Sequence, residues 1–323
     1  MNQTPPPADV KTTDKGRPAD EAQTRRIGVE VEFGGLTARE AAETVKRHLG
    51  GRIVEEDPHL FSVEDTVLGT IRLELDSKYV HTSSDASKLE RKVRSFAGEV
   101  GGAIVPTEMI TGPLPASRLA EVDALIGKLV EAGAVGTRQP HLACGLHLNI
   151  EWPEQDIGSI LSVFRAYLLL APELRREIDP DMTRTLLPFI GRFPRAFEEK
   201  VLDPSYSPDL KTFIRDYCSA NPNKNRELDL LPLLASVDEE LVAGALGHEP
   251  QAVRPTFHYR LPDARLGEAD WSVRSEWKRW LKVEALASDE AALEARLARR
   301  KDRDDASGPV RSIKKLLDRV MNQ

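Results

Sequence analysis

The sequence predicts an α+β fold in which an antiparallel sheet packs on helices and a helical extension follows at the C-terminus. Two observations support this class. Several segments that lie far apart in the chain alternate apolar with polar residues, as strands with one buried face do. Between them lie stretches with the periodicity of helices. If the strands share one sheet, their apolar faces pack on the helices and their polar faces combine into one surface.

The first expected strand carries two glutamates on one face. In RRIGVEVEFGG, residues 25–35, apolar side chains alternate with Gly28, Glu30 and Glu32. Alternate residues of a strand share a face, so the two carboxylates stand side by side. Like charges on one face repel, and the aliphatic neighbours indicate burial. We therefore expect a compensating group beside this pair.

Helices are expected between and after the strands. TAREAAETVKRHLG begins with Thr37 and Glu40 at capping-box spacing and ends on a glycine. DIGSILSVFRAYLLLAPELRREI is apolar enough to form the layer behind the sheet. The expected helical segments are 37–50, about 85–100, 116–133, 156–178, parts of 181–250 together with loops, and much of 270–323.

Four more expected strands each place polar or charged residues on one face. The alternation is cleanest in the third of them, where leucines and an isoleucine alternate with histidine, asparagine and glutamate. These strands are TVLGTIRLELDS (66–77) with Glu74, a short strand in GGAIVPTEMITGPLP with Glu108, ACGLHLNIEW (143–152) with His147, Asn149 and Glu151, and RPTFHYRLPDAR with Thr256, His258 and Arg260.

Composition excludes several classes of protein. With 323 residues, 40% hydrophobic and 30% charged, the chain has the make-up of a globular protein. A net charge of −7 argues against a general nucleic-acid binder. The two cysteines, Cys144 and Cys218, cannot form a disulfide framework and have no metal-site spacing. No apolar leader and no apolar run of about 18 residues is apparent, so we expect a cytoplasmic protein that binds no membrane.

The chain is expected to divide into three parts. Residues 1–24 are rich in Pro, Asp, Lys and Thr and should be disordered. Residues 25–268 should form one catalytic domain, and residues 269–323 a charged helical extension with a break near Ser307. The charge run in that extension is typical of a solvated helix face, with contact to a partner as the alternative.

The polar faces, taken together, have the composition of a metal site. Carboxylates with one imidazole suit Mg²⁺ or Mn²⁺, and such ions would compensate the paired glutamates. Arg260 and Arg226 would then face phosphate or another anion held by the metals. The expected metal ligands are Glu30, Glu32, Glu74, Glu108 and His147.

A simpler interpretation is a solvated sheet face, since one E-x-E or H-x-N strand taken alone is weak evidence for a metal site. Solvated faces usually mix Lys and Thr with acids. By contrast, the faces at 28–32 and 145–151 carry almost nothing except Gly, acids, His and Asn. Their combination favours a functional site.

The order of these motifs resembles the amidoligases, relatives of glutamine synthetase and glutamate–cysteine ligase in the carboxylate–amine ligase superfamily. The segments that carry the resemblance, over about residues 26–265, are GVEVEFGG, RLELDSKY, EMITGPL, GLHLNI, NRELDL and FHYRLP. The resemblance implies a curved antiparallel sheet shaped as an open funnel. It also implies that Mg·ATP lies among the acids and that amide bonds form through an acyl phosphate.

The resemblance also implies roles for individual residues. It makes Glu30, Glu32, Glu74, Glu108 and His147 metal ligands, Arg260, Arg226 and Glu74 catalytic candidates, and Asn149 and His258 neighbours of the nucleotide with the two arginines. The substrates would be a small-molecule or peptide carboxylate and an amine, and a glutamine amidotransferase is a candidate partner. Whether Glu74, Glu151 or another acid takes the proton of the amine stays open.

Two positions depart from the family pattern. His258 stands where an acid is expected two residues before the arginine, and Asp229 stands where asparagine is expected. A neutral histidine can ligate a metal, but the site loses one negative charge. The protein would hold fewer ions, or it would have lost activity.

Two rival functions therefore stay open. A metal-dependent hydrolase would use the same acids and histidine without ATP. A binding or assembly protein would keep the funnel and act through its charged C-terminal helices. Nucleotide dependence separates the ligase from the hydrolase, and the effect of mutating Glu30 on turnover separates enzyme from binding protein.

Overall fold

A computed structural model describes residues 25–75, 106–137, 142–181 and 190–307, with side chains up to residue 301. The expected tail 1–24, the expected helix at about 85–100 and the expected break just after Ser307 lie outside the described residues. Within them, the fold is a mixed α/β arrangement in which nine strands form one open antiparallel sheet. The strands are β1 Arg26–Phe33, β2 Arg52–Asp57, β3 Leu60–Thr66, β4 Gly69–Leu75, β5 Thr107–Thr111, β6 Leu114–Pro115, β7 Leu146–Glu151, β8 Leu228–Asp229 and β9 Thr256–Tyr259.

Nine α-helices accompany the sheet in the part of the chain that the structure describes. They are α1 Ala38–Leu49, α2 Leu119–Ala132, α3 Ile157–Ile178, α4 Arg195–Leu202, α5 Leu210–Ala220, α6 Leu231–Val237, α7 Glu239–Leu246, α8 Val273–Ser288 and α9 Glu290–Ser307. The expected capping box is present at the start of α1, where the Thr37 side chain accepts from the Glu40 backbone N–H and the Glu40 carboxylate accepts from Thr37 N–H. Local signals therefore placed this helix correctly.

The strands that carry the polar residues are neighbours in the middle of the sheet. The strand order is β2-β3-β4-β5-β1-β7-β9-β8, with β6 paired to one end of β1. β1 lies between β5 and β7, and β9 pairs with β7 on its other side. The expectation that these segments share one antiparallel sheet is confirmed.

The apolar residues of the same strands form the core with the helices. Tyr167 of α3 and Trp280 of α8 both stack against Tyr259 of β9, with ring centroids 6.1 and 5.3 Å apart. Because side chains alternate along a strand, the neighbours of Tyr259, which include His258, point to the opposite face. Helix α3 thus lies behind the sheet, as its apolar sequence predicts.

Helix α3 also has the length and composition of a membrane span, although no such segment was expected from the sequence. It has 22 residues, and 56% of its most apolar stretch is buried inside the fold. Its residues Leu170, Ala171 and Leu174 are buried, as is Tyr167. These contacts are those of the core helix of a soluble domain. The compartment remains an expectation.

Helix α8 packs into the core although it lies beyond the expected domain boundary at residue 268. Trp280 is fully buried between α8 and β9, and its indole N–H donates to Glu284 at 2.7 Å. Glu284 also accepts from Arg25, the residue before β1, at 2.9 Å. These contacts join α8 to β9 and to the residue before β1. The domain division at residue 268 stays a prediction.

Three parts of the sheet differ from the expectation. β2 and β3 form an edge hairpin that was not expected, since the β2 sequence RIVEED is largely exposed and lacks a clear alternation. β8, within a segment expected to hold helices and loops, is a two-residue strand beside β9. The segment 66–77 spans the end of β3, a turn and β4, and β4 alone carries the alternation.

Candidate functional site

The register of the central strands brings six buried polar side chains together. Glu30 of β1 pairs with His147 of β7, and Glu32 pairs with Glu108 of β5. Asn149 of β7 pairs with His258 of β9. We call this set the polar cluster, and its members are Glu30, Glu32, Glu108, His147, Asn149 and His258, each at most 8% exposed.

Glu30 lies at the centre of the polar cluster. Its Oε1 accepts a hydrogen bond from Asn149 Nδ2 at 2.7 Å. Its Oε2 lies 3.1 Å from His147 Nδ1 and 3.4 Å from His258 Nε2. One carboxylate oxygen is therefore held by an amide, and the other faces two imidazoles.

Glu32 and Glu108 occupy the next row of the sheet. Glu32 Oε2 accepts from the backbone N–H of Gly145 at 2.7 Å, which fixes the carboxylate on the β7 side. Glu32 Oε1 lies 3.9 Å from His147 Nε2, and Glu108 Oε1 lies 3.9 Å from His147 Nδ1. His147 therefore stands among three carboxylates.

Burial and charge set the protonation of this cluster. Burial lowers the pKa of His147 to about 3, against the opposing effect of Glu30 and Glu32. Burial alone would raise the pKa of Glu30, but the charge of His258 and the hydrogen bond to His147 hold it well below the usual value. At neutral pH, Glu30 is a carboxylate and His147 a neutral imidazole, which are the forms that bind metal ions.

Metal-free protein should lose stability as the pH falls from about 7 to about 5. In the unfolded chain His147 takes up a proton near its ordinary pKa of 6.5, whereas in the fold its pKa is about 3. The unfolded state then binds more protons, so the free energy of unfolding drops through this window. Urea denaturation in chelator at the two pH values measures it.

The variant His147→Gln serves as the control, because it removes the titrating group from both states. Its pH dependence over the same window should be flatter than that of the wild type. A wild type equally stable at both pH values would mean that the folded and unfolded states take up the same number of protons in this window, and it would contradict the lowered pKa of His147.

Two groups within the polar cluster have the donor atoms of a metal site. The imidazole-rich group is Glu30, His147 and His258, and the carboxylate-rich group is Glu32, Glu108 and His147, with donor atoms of each group within 4.8 Å of one another. Asn149 Oδ1 and His258 Nε2 are buried without a hydrogen-bond partner among the described residues. Buried polar atoms usually have partners, so these two fit a ligand at the site.

Glu74 lies one strand further out than the carboxylate-rich group. It pairs in register with Glu108, so three glutamates form a row across β4, β5 and β1. Its carboxylate forms an ion pair with Arg72 at 3.0 Å. Glu74 therefore shares the expected face, while its role as ligand or catalyst stays a prediction.

Arg260 and Arg226 have different surroundings. Arg260 is 1% exposed, its guanidinium donates to the Lys224 carbonyl, and its charge contributes to the low pKa of His147. Arg226 donates through Nε to Asn221 at 2.7 Å and through Nη1 to the Asn225 carbonyl at 3.2 Å. Within the described residues, Arg226 makes no hydrogen bond or ion pair with the polar cluster. That the two arginines face phosphate or another anion stays a prediction.

Arg254 was missed by the sequence analysis and lies beside Glu30. Its Nη1 is 3.6 Å from Glu30 Oε1, and its side chain is 42% exposed. It precedes β9 and is followed by a proline, so no alternation or motif marks it. Its position follows only from the pairing of β1, β7 and β9.

Gly28, on the same face as Glu30, leaves room for the side chain that holds it. A Cβ at Gly28 would come within 3.3 Å of Asn149 Cβ. That distance is shorter than ordinary carbon contacts, so a side chain here would push against the Asn149 amide. The glycine of GVEVEF thus permits the hydrogen bond from Asn149 to Glu30.

Comparison with known proteins gives one match. A family model described as "Putative amidoligase enzyme" matches residues 23–282. No curated protein and no solved structure matches the chain. The matched range covers β1 to β9 and extends into α8, so it includes the whole polar cluster.

Proposed function

We propose, because this chain belongs to the amidoligase family, that it joins a carboxylate to an amine at the expense of ATP. Family membership indicates a ligase-type enzyme, and ATP dependence and an acyl-phosphate intermediate are our proposal for its mechanism. We also propose that its open sheet corresponds to the funnel of glutamine synthetase-like enzymes. The observation that carries the proposal is the polar cluster, in which buried carboxylates and neutral imidazole converge on one sheet face.

The residues present fit divalent metal ions. Glu32 and Glu108 offer hard oxygen donors suited to Mg²⁺ or Mn²⁺, and Glu30 with the two histidines offers a second donor set. Bound ions would neutralise charge on the phosphate oxygens of the nucleotide. Rigid strands and the Gly145 N–H hold these donor groups in place.

The reaction would proceed in two steps. A carboxylate oxygen of the substrate attacks the γ-phosphorus of ATP, the bond to the bridging oxygen breaks, and ADP leaves. The amine nitrogen then attacks the acyl carbon, inorganic phosphate leaves with the original carboxylate oxygen, and the nitrogen loses a proton to a base. Phosphorylation is needed because oxide is a very poor leaving group.

Arginine side chains would stabilise the negative charges of the phosphate and carboxylate groups in this reaction. Arg254 reaches the polar cluster from solvent, and a guanidinium can bind phosphate or carboxylate through two parallel hydrogen bonds. Arg260 is buried and would act on the electrostatics of His147. Glu74 and Glu151 remain the candidate bases, and Glu74 would first have to release Arg72.

An isotope experiment tests the mechanism. Carboxylic acids are first screened for amine-dependent release of ADP, and the active acid is then supplied with ¹⁸O in its carboxylate. We expect one labelled oxygen in each phosphate released, because the acyl phosphate transfers a carboxylate oxygen to phosphorus. Amide product accompanied by unlabelled phosphate would refute the acyl phosphate.

A metal-dependent hydrolase is the second candidate, favoured by one observation. One carboxylate with two imidazoles, as in Glu30, His147 and His258, is a donor set that catalytic zinc sites of hydrolases use. Product formed from an amide or phosphoester without any nucleotide would move the protein to this class. The same screen, run with and without ATP, distinguishes the two.

A further inference from the structure

Each of the two histidines in the imidazole-rich group lies between two carboxylates. His147 presents Nδ1 to Glu30 at 3.1 Å and Nε2 to Glu32 at 3.9 Å. His258 presents Nε2 to Glu30 at 3.4 Å and Nδ1 to Asp229 at 3.8 Å. Both rings thus have one nitrogen directed at Glu30 and the other at a second carboxylate.

Without an ion, His147 is hydrogen-bonded to Glu30 through Nδ1. With an ion between the inner atoms, the arrangement favours the tautomer of each ring that carries its proton on the outer nitrogen. A neutral imidazole carries one N–H and one lone pair, and the N–H is best placed toward an anion that only accepts. In metal sites the histidine usually donates its outer N–H to a carboxylate, which directs the lone pair of the other nitrogen at the ion. Glu32 and Asp229 are in position to serve as those outer carboxylates for His147 and His258.

The distances between the inner atoms already suit a small ion. An ion with four ligands at about 2.0 to 2.1 Å holds neighbouring donor atoms about 3.3 Å apart. Glu30 Oε2 lies 3.1 Å from His147 Nδ1 and 3.4 Å from His258 Nε2, and the rings are nearly perpendicular with centroids 5.3 Å apart. His258 Nε2 is buried, and its contact with Glu30 at 3.4 Å lacks the geometry of a hydrogen bond, so the atom is available to a ligand.

We infer that Glu30, His147 and His258 form a site for a first-row transition ion of the Zn²⁺ or Co²⁺ type, and that this site discriminates against Mg²⁺. Two imidazole nitrogens and one oxygen suit such ions, whereas Mg²⁺ prefers oxygen donors and retains its waters. His147 has one lone pair and cannot serve both groups at once. The carboxylate-rich group is then left with Glu32 and Glu108, an oxygen set appropriate to Mg²⁺.

The two departures from the family pattern meet in this site. His258 stands where an acid is expected, and Asp229, where asparagine is expected, pairs in register with His258 on the adjacent strand. The chain thus lacks the expected carboxylate at position 258 and has an additional one at position 229, next to the imidazole of His258. This exchange supports an altered ion preference in this chain. The inference goes beyond the proposed function, because it concerns ion binding and holds whichever reaction the protein performs.

Cobalt is the probe for the test. Full-length protein is treated with chelator and titrated with Co²⁺, whose visible absorption reports nitrogen ligands, and Mg²⁺ and Zn²⁺ are then added as competitors without nucleotide or substrate. We expect one Co²⁺ with strong visible bands, displaced by Zn²⁺ and retained at a thousandfold molar excess of Mg²⁺. Displacement by Mg²⁺ at concentrations comparable to Co²⁺ would overturn the inference.

Three variants locate the ion. His258→Ala should abolish the visible bands, and Asp229→Asn should weaken Co²⁺ binding about ten- to a hundredfold while its Oδ1 still accepts from Leu231 N–H. His258→Glu should lower the preference for Co²⁺ over Mg²⁺ at least tenfold, and it covers the case in which the alanine variant does not fold. The exposed His248→Ala is the control and should bind as wild type.

The same titrations can contradict the inference. Unchanged Co²⁺ affinity in Asp229→Asn, or unchanged ion preference in His258→Glu, would overturn it. Failure of the ligase is seen separately in the nucleotide-dependent assay, since no titration here contains ATP. A protein that binds Co²⁺ as expected and releases no ADP would refute only the proposed function.

Discussion

Replacing Glu30 with glutamine should reduce turnover by about a hundredfold to a thousandfold while the protein remains folded. Glu30 is the one residue of the polar cluster that contacts Asn149, His147 and His258. Glutamine keeps the acceptor for Asn149 Nδ2 but places an amide N–H₂ or a neutral oxygen where a carboxylate oxygen faced the two imidazoles. Loss of one preorganised electrostatic contact commonly has an effect of this size. Steady-state rates of ADP release measure it.

Glu64→Gln is the matched control for this experiment. Glu64 is also a glutamate on a strand of the same sheet, but it lies on the outer hairpin and pairs with Arg52 in solvent. Its replacement should leave the rate unchanged. Full activity in Glu30→Gln would show that the polar cluster is not the catalytic site.

Replacing Trp280 with alanine should lower the free energy of unfolding by about 3 to 5 kcal/mol. The indole is fully buried, its ring centroid lies 6.0 Å from that of Phe257 and 5.3 Å from that of Tyr259, and its N–H donates to Glu284. Alanine would leave a cavity behind the strand that carries His258. Urea denaturation followed by circular dichroism gives the value.

Lys278→Ala, on the exposed side of the same helix, provides the comparison and should change stability by less than about 0.5 kcal/mol. The contrast also tests the predicted domain boundary at residue 268. A loss of less than about 1 kcal/mol in Trp280→Ala would show that α8 is an extension separable from the sheet. A large loss would place α8 within the catalytic domain.

The strands that could be predicted are those whose two faces meet different environments. β1, β4 and β7 have apolar residues toward the helices and mostly polar or charged residues on the other face, so their alternation is visible in the sequence. β2 is an edge strand with mostly exposed residues, and no burial imposes a pattern on it. β8 has two residues, too few to show a period. Its position depends on the hydrogen bonds of β9.

The residues of the site also divide into those that alternation in the sequence indicates and those that only strand pairing brings together. Glu30, Glu32 and His147 could be named because each stands in an alternating strand. Which of these residues meet, however, depends on register between strands, and one residue of slip would turn every side chain to the other face. The contacts of Asp229 with His258 and of Arg254 with Glu30 arise only from that register. Arg226 was named from its charge and from the family resemblance, and its hydrogen bonds to the surrounding loop could not be anticipated.

The position of Arg254 has a consequence for how the protein exchanges ions with its surroundings. A half-exposed guanidinium 3.6 Å from Glu30 acts as a tethered counterion: it offsets part of the negative charge of the cluster when no metal is bound. A divalent ion that binds at Glu30 would compete with this internal cation, so ion binding would exchange one positive charge for another. The displaced guanidinium, on a side chain that is 42% exposed, would then be free to pair with the anionic group of a substrate. Ion uptake and substrate recruitment would in this way be coupled through one side chain.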